Sequence, residues 1–194
     1  MAKKSEKNTF KKDRDYWNAY YEQMKENTSL KKHSSFAEFV LEHIDKGDKL
    51  LELGCGNGRD SIFFCKNGMN VTAIDASDYT IDMLQGKYKE EIRFLCDDFV
   101  SSNIFDEELF ECIYSRFTMH AITEFQENIV VGNVYKALTN NGIFCVEART
   151  IHDELYGKGE ETEKNTFFYN GHHRRFIDPD EFIQKMEKIG FSNI

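Results

Sequence analysis

The stretch Lys49-Leu50-Leu51-Glu52-Leu53-Gly54-Cys55-Gly56-Asn57-Gly58-Arg59 constrains this chain more than any other. An apolar run of strand length ends in three alternating glycines, and a segment able to start a helix follows. The next apolar run, Asn70 to Ile74, closes on an acid, Asp75, 21 residues (75 − 54) after Gly54. This is the layout of a β-α-β unit that binds a nucleoside. Glycines let the backbone approach the ligand, and the carboxylate accepts from ribose hydroxyls. The glycines fall as G-x-G-x-G. A dinucleotide fold requires G-x-G-x-x-G, with a small residue where Arg59 stands. Arg59 would crowd a pyrophosphate, so the pattern favours a nucleoside ligand without one and disfavours a nicotinamide-dependent dehydrogenase.

The same alternation of strand and helix runs on. Ser34 or Ser35 caps a helix over 34–45 with Phe36, Phe39, Val40 and Ile44 as its buried stripe and Gly47 at its end. The pattern then predicts strand 49–53, helix 58–67 stopped by Gly68, strand 70–74, helix 78–85 stopped by Gly86, and strand 92–96. Strand 110–115, helix 123–139 and strand 142–148 follow. Strands alternating with helices imply an α/β fold: a doubly wound, mostly parallel sheet with helices on both faces and right-handed crossovers. The last helix starts at Asp178-Pro179-Asp180-Glu181, where Asp178 caps, Pro179 takes the first turn and Glu181 answers as in a capping box. It ends at Gly190, and Phe191 to Ile194 read as the opening of a sixth strand. The sheet edge is therefore expected to be incomplete, and the chain to be a piece of a longer one. One domain is expected over 13–194: N-terminal helices 13–46, a core over 47–150, a substrate loop over 151–177, and the last helix with the strand start over 178–194. Ile151 to Tyr169 is charged and holds Gly157 and Gly159, which marks a mobile lid or an inserted surface loop.

A net charge of −9 argues against a broad nucleic-acid face. Residues 1–12 carry five lysines and read as a flexible basic tail; a nucleic-acid or phospholipid arm is the alternative. The five cysteines, Cys55, Cys65, Cys96, Cys112 and Cys145, are widely spaced and odd in number, which fits reduced thiols in a cytoplasmic protein. Neither a signal peptide nor an apolar stretch of membrane-spanning length is read from the chain. Small-molecule chemistry without nucleic acid or membrane, by a monomer or homodimer, is the expectation.

Leu51 to Arg59 resembles the first motif of the class I S-adenosylmethionine (SAM)-dependent methyltransferases. The order of elements over roughly 34 to 194 is similar to that family's. The resemblance is sharp at 50–60 and 70–76, and the family's antiparallel seventh strand has no residues here. It implies a Rossmann-like fold, SAM as cofactor and S-adenosylhomocysteine as product. Because ligands of open parallel sheets sit beyond the strands' carboxyl ends, it also implies which residues hold SAM. Gly54, Cys55 and Gly56 would turn their amides to the methionine carboxylate, with Arg59 or Asp60 at the amino-acid end. Asp75 would take the ribose and Ala76 the adenine face. Within Asp97-Asp98-Phe99 a carboxylate would receive the adenine amino group, Asp97 preferred over Asp98. The backbone near Arg116 would hold the SAM amino group, although many members of the family have Asn or Asp there. Tyr16, Trp17, Tyr20, Tyr21 and Met24 recur at helical spacing. They read as a core-facing amphipathic helix or as a lid whose rings suit a sulfonium, with Trp17 and Tyr21 the contacts and Tyr16 beside the acceptor.

Three segments converge on the same end of such a sheet: Arg116 with His120, Arg149 with His152, and His172-His173-Arg174-Arg175. Guanidinium forks suit phosphate or carboxylate, so a small anionic acceptor such as a phosphate, phosphonate or sugar phosphate is expected, with O-methylation. Pairing of Arg174 and Arg175 with Glu160, Glu161 and Glu163 is the alternative. His120 is the candidate general base. A metal is disfavoured, because adjacent histidines do not easily share one and no H-x-x-x-H occurs. A non-catalytic SAM-binding subunit of the same fold is the rival reading.

Overall fold

The structure, a computed structural model, describes residues 14–23, 32–170 and 172–194, with His172 described in its backbone alone. The lysine tail and Met24 lie outside the described residues. Five strands form one parallel sheet: β1 (Lys49–Leu53), β2 (Asn70–Asp75), β3 (Arg93–Cys96), β4 (Phe110–Arg116) and β5 (Leu138–Glu147), in the order β3-β2-β1-β4-β5. Leu50 of β1 faces Val71 of β2 on one side and Cys112 of β4 on the other.

Side chains of successive strand residues point to opposite faces, and both faces are covered. Leu50, Val71, Ala73, Cys112 and Tyr114 pack with Ala37 and Val40 of α2 (Ser35–Leu41), Phe64 of α3 (Arg59–Lys66), and Ile81 and Leu84 of α4 (Asp78–Tyr88). Leu51, Leu53, Ile74 and Ile113 pack with Ile104 and Phe105 of α5 (Ile104–Glu107) and with Val130, Val134 and Ala137 of α6 (Glu124–Ala137). The final helix, α7 (Pro179–Ile189), lays Phe182 against this second layer. Burial on both faces is why β1 reads as a continuous apolar run. A further helix, α1, covers residues 14–23.

The helix starts follow the caps. Ser34 accepts from the Ala37 N–H at 3.0 Å, Ser77 from Thr80 at 3.3 Å, and Thr123 exchanges bonds with Gln126 in a full capping box. Asp178 caps α7, but Glu181 does not answer it; Glu181 instead takes the Lys164 ammonium at 2.7 Å. Other boundaries shift too. The first predicted helix stops at Leu41, α4 runs through Gly86 to Tyr88, and β5 begins at Leu138. Gly86 has no positive φ to enforce a stop.

Two expectations are corrected. Residues 191–194 form no strand; Phe191 instead packs its ring on Tyr135 (5.1 Å) and Phe144 (6.1 Å). The stretch expected as a loop holds a second, antiparallel sheet of β6 (Glu160–Glu163), β7 (Thr166–Tyr169) and β8 (His172–Arg175). Its turns use Asn165 and Asn170 at φ of 57° and 52°, a conformation asparagine tolerates. Tyr156, Phe167 and Phe176 form its aromatic core, with centroids 5.3 to 5.9 Å apart.

Candidate active site

A cavity of about 1530 Å³ opens beyond the carboxyl ends of the central strands. Its walls come from α1, the glycine turn, the turns after β2, β3 and β4, and Arg149 and Arg174.

The glycine turn works differently from the expectation. The N–H groups of Gly54 and Cys55 both donate to the Ile74 carbonyl, at 2.8 and 3.0 Å. The Gly56 N–H donates to Asp75 Oδ2 at 2.8 Å. These amides are therefore committed to β2 and cannot cradle a methionine carboxylate. The turn's task is close approach. Gly54, Gly56 and Gly58 have φ of 72°, 53° and 73°, where a Cβ is strained. A Cβ on Gly56 would stand 2.1 Å from the Tyr21 hydroxyl, and one on Gly54 would stand 2.2 Å from Thr118 Cγ2.

Asp75 is buried and held at both oxygens, by Gly56 N–H and by the Ser77 N–H at 2.8 Å. Burial pushes its carboxyl above the ordinary range, while the N–H bonds from Ser77, Gly56 and Ala76 pull the other way. Each oxygen keeps a lone pair for a ligand hydroxyl. Beside it, Asp97 accepts from the Asp98 N–H at 2.8 Å, and Asp98 spends its oxygens on Val100 N–H (2.9 Å) and the Ser101 hydroxyl (3.3 Å). Asp98 thus shapes the turn. Asp97 has no such bond on its other oxygen, Oδ2, among the described residues. Ala76 and Phe99 complete this wall.

The helix α1 covers the turn. Asn18 accepts from the Ser77 hydroxyl at 2.6 Å and donates to Asp78 at 2.7 Å, and Arg14 lies 3.7 Å from the same carboxylate. Tyr16, Trp17, Tyr20 and Tyr21 line the cavity, with ring pairs 5.1 to 6.2 Å apart. Burial, then Asp75, Cys55, Tyr20 and Glu52, push the Tyr21 hydroxyl well up. The Cys55 thiol is pushed up by burial and by the Asp75 and Glu52 carboxylates, so it fits rather than reacts.

Three further residues matter here: Glu52 and Phe117, which the motif reading left aside, and Asp60, which it offered for the amino-acid end of SAM. Glu52, inside β1, is buried and accepts from the Ser61 hydroxyl; burial and the neighbouring Asp60 raise its carboxyl to about 8. Asp60 accepts from the Ser34 N–H (2.7 Å), the Ser34 hydroxyl (2.8 Å) and the Tyr114 hydroxyl (2.9 Å), which ties α3 to α2 and β4 and spends it structurally. Phe117 sits at φ 56°, an outlier for a bulky side chain of the kind that clusters at functional sites.

Phe117 organises the opposite wall. The Arg116 guanidinium lies 4.4 Å over its ring, that of Arg149 5.7 Å, and His120 meets it edge-on at 5.7 Å. Arg116 pairs with Glu147 at 2.5 Å and Arg149 with Asp153 at 2.7 Å, so both cations arrive partnered. Arg116 belongs by its side chain to this wall, away from Asp75 and Asp97. Burial raises the Asp153 carboxyl, but the Leu155 N–H, Arg149 and His120 outweigh it and leave it lowered. His120 is buried in a short turn, Met119–Ala121, and lines the cavity. Arg174 also reaches the cavity, donating to the Tyr169 carbonyl at 3.0 Å; among the described residues no ion pair involves it.

Other expected acceptor residues are not brought together. His173 is exposed on the Phe168 ring and, like His152, does not line the cavity. Arg175 is buried and pairs with Glu127, not with Glu160, Glu161 or Glu163. His172 contributes no described side chain. Among the described residues no cluster of metal-ligating side chains occurs, and no helix is long and apolar enough to cross a membrane.

Residues 50–142 match the family model described as a methyltransferase domain. An uncharacterized methyltransferase of Synechocystis sp. is 27% identical over 118 residues, 57% of this chain. The chain spans about half (52%) of that relative's length. A TehB-like SAM-dependent methyltransferase from Corynebacterium glutamicum superposes with a TM-score of 0.65 at 21% identity, over 89% of this chain and 82% of that one. The 1,6-didemethyltoxoflavin-N1-methyltransferase of Burkholderia thailandensis, solved with 1,6-didemethyltoxoflavin and S-adenosylhomocysteine, superposes at 0.70 with 16% identity, over 93% and 77%. A SAM-dependent methyltransferase from Clostridium acetobutylicum gives 0.69 at 14% identity, over 89% and 87%. The methyltransferase-domain match spans just under half of the chain, and the glycine turn and 3-2-1-4-5 parallel sheet give the chain the fold of the SAM-dependent methyltransferases on which it superposes.

Proposed function

We propose that this protein is a cytoplasmic methyltransferase that moves a methyl group from SAM to a small anionic acceptor, most readily at oxygen. The observation that carries the reading is Asp75: a buried carboxylate fixed by two backbone N–H groups against a turn where a Cβ does not fit. Asp75 would hold the ribose, Asp97 the adenine amino group, and Ala76 and Phe99 the adenine faces. With the turn amides spent, Arg59 and the Tyr21 hydroxyl are the groups left to meet the methionine carboxylate. When bound, SAM supplies a methyl on a sulfonium, so no separate leaving-group activation is needed. The chain's own work is alignment and exclusion of water. Trp17, Tyr20 and Tyr21 roof the cavity. Arg149 and Arg174 orient the acceptor's negative charge. His120 takes the proton of a hydroxyl acceptor; an acceptor already anionic needs no base.

Calorimetry tests the cofactor half. Wild type binds SAM, and Asp75→Ala weakens it at least tenfold, since hydrogen bonds to a charged group contribute about 1.5–3 kcal/mol each. Absence of binding at millimolar SAM, in wild type and variant alike, would sink the reading. The acceptor half is tested by a metabolite screen with labelled SAM. The acceptors found are anions, and Arg174→Ala raises their KM about tenfold with the SAM affinity unchanged. Turnover of neutral acceptors alone would refute it.

A further inference from the structure

The residue behind the cavity that the proposed chemistry leaves unused is Arg175. It is neighbour in sequence to Arg174, but successive strand residues face opposite ways. Arg174 reaches the cavity; Arg175 is buried between β8, the turn after β4 and α6. Its Nε and Nη2 are both engaged. Nε donates to the Ile122 carbonyl at 3.1 Å, and Nη2 donates to the Met119 carbonyl at 3.0 Å and to Glu127. Glu127 is buried and also takes the Lys185 ammonium at 2.5 Å; Lys185 in turn lies 3.5 Å from Glu124.

The two carbonyls bracket His120. They close the short turn Met119–Ala121, which no sheet or long helix stiffens. A planar guanidinium can span two carbonyls and a carboxylate at fixed angles; a lysine ammonium, a point charge on a flexible stem, cannot do so with the same geometry. Removal of the fork leaves two carbonyls short of donors, and the turn is free to relax.

We propose that Arg175 is a positioning residue: it clamps the turn that presents His120 to the acceptor and ties that turn to the small sheet bearing Arg174. The acceptor's charge and its proton-accepting group are thereby set by adjacent residues of one strand. The proposal deepens the methyltransferase reading and rests on it for the role of His120.

The test needs no identified acceptor. The chain has six histidines, and the ring signal of His120 in carbon-labelled protein is assigned by its loss in His120→Gln. In Arg175→Lys, which keeps a cation against Glu127, the His120 signal shifts or broadens while the other rings hold. Affinity for S-adenosylhomocysteine stays within about twofold. The double variant Arg175→Met with Glu127→Gln, which removes both buried charges, gives the same signature. With any acceptor that the wild type turns over, Arg175→Lys lowers kcat about tenfold, as displaced catalytic groups do. An unmoved His120 signal in either folded variant overturns the proposal. Failure of the wild type to bind S-adenosylhomocysteine would instead overturn the methyltransferase reading and leave the ring signal readable.

Discussion

Asp75 and Glu52 are buried carboxylates on neighbouring strands, both pushed up by burial but held by different partners. Asp75 is held by backbone N–H groups; Glu52 has the Ser61 hydroxyl and, close by, the like charge of Asp60. Its carboxyl rises from an ordinary 4.5 to about 8. A raised value in the folded state means that the protonated form favours folding. That stability is complete below pH 4.5 and is lost as pH climbs through about 8. Glu52→Gln keeps a hydrogen-bonding group beside Ser61 and removes the titration. Urea unfolding at pH 5 and pH 9 should show wild type losing a few kcal/mol that the variant keeps. Equal pH slopes would refute it. Asp75 was legible in the sequence because an acid at the end of a second strand has a spacing. Glu52 was not, since one acid in an apolar strand has no pattern; only the neighbours brought by α3 give it meaning.

At the level of elements, the glycine turn and α1 form one unit. The Tyr21 hydroxyl occupies the space a Cβ on Gly56 would need, 2.1 Å away. Gly56→Ala should therefore dislodge α1 as well as strain the turn, and weaken SAM binding by a hundredfold or more. Tyr21→Ala removes the collision but not the cost of φ 53°, so Gly56→Ala should weaken binding less against a Tyr21→Ala background than in wild type. Calorimetry on the two single variants and the double variant decides; no cost of Gly56→Ala on the Tyr21→Ala background would mean that the backbone is indifferent, and an undiminished cost that Tyr21 is no obstacle. The helical spacing of the α1 aromatics was readable, but the latch through Asn18 was not, because a polar residue on an aromatic face carries no sign of its partner. The small sheet was hidden for a related reason: Asn165 and Asn170, its turn residues, stand among charges that read as loop.

Across the whole molecule, the parallel sheet with helices on both faces followed from the alternation of strands and helices, whereas the order β3-β2-β1-β4-β5 within it came only with the structure. So did the chemistry of the acceptor wall. Its arginines were visible as residues, yet their pairing with Glu147 and Asp153 and the burial of Arg175 arise only when β4, β5 and β8 meet. The topology carries one further consequence. No two strands of the main sheet are joined by a hairpin. Leu50 meets Cys112 only after three helices and two strands have intervened. Closing such loops costs entropy before any contact repays it, so this domain is expected to fold slowly. During synthesis its central apolar strand stays without its β4 neighbour until residue 116 has left the ribosome, which makes the nascent chain a natural client for a holding chaperone.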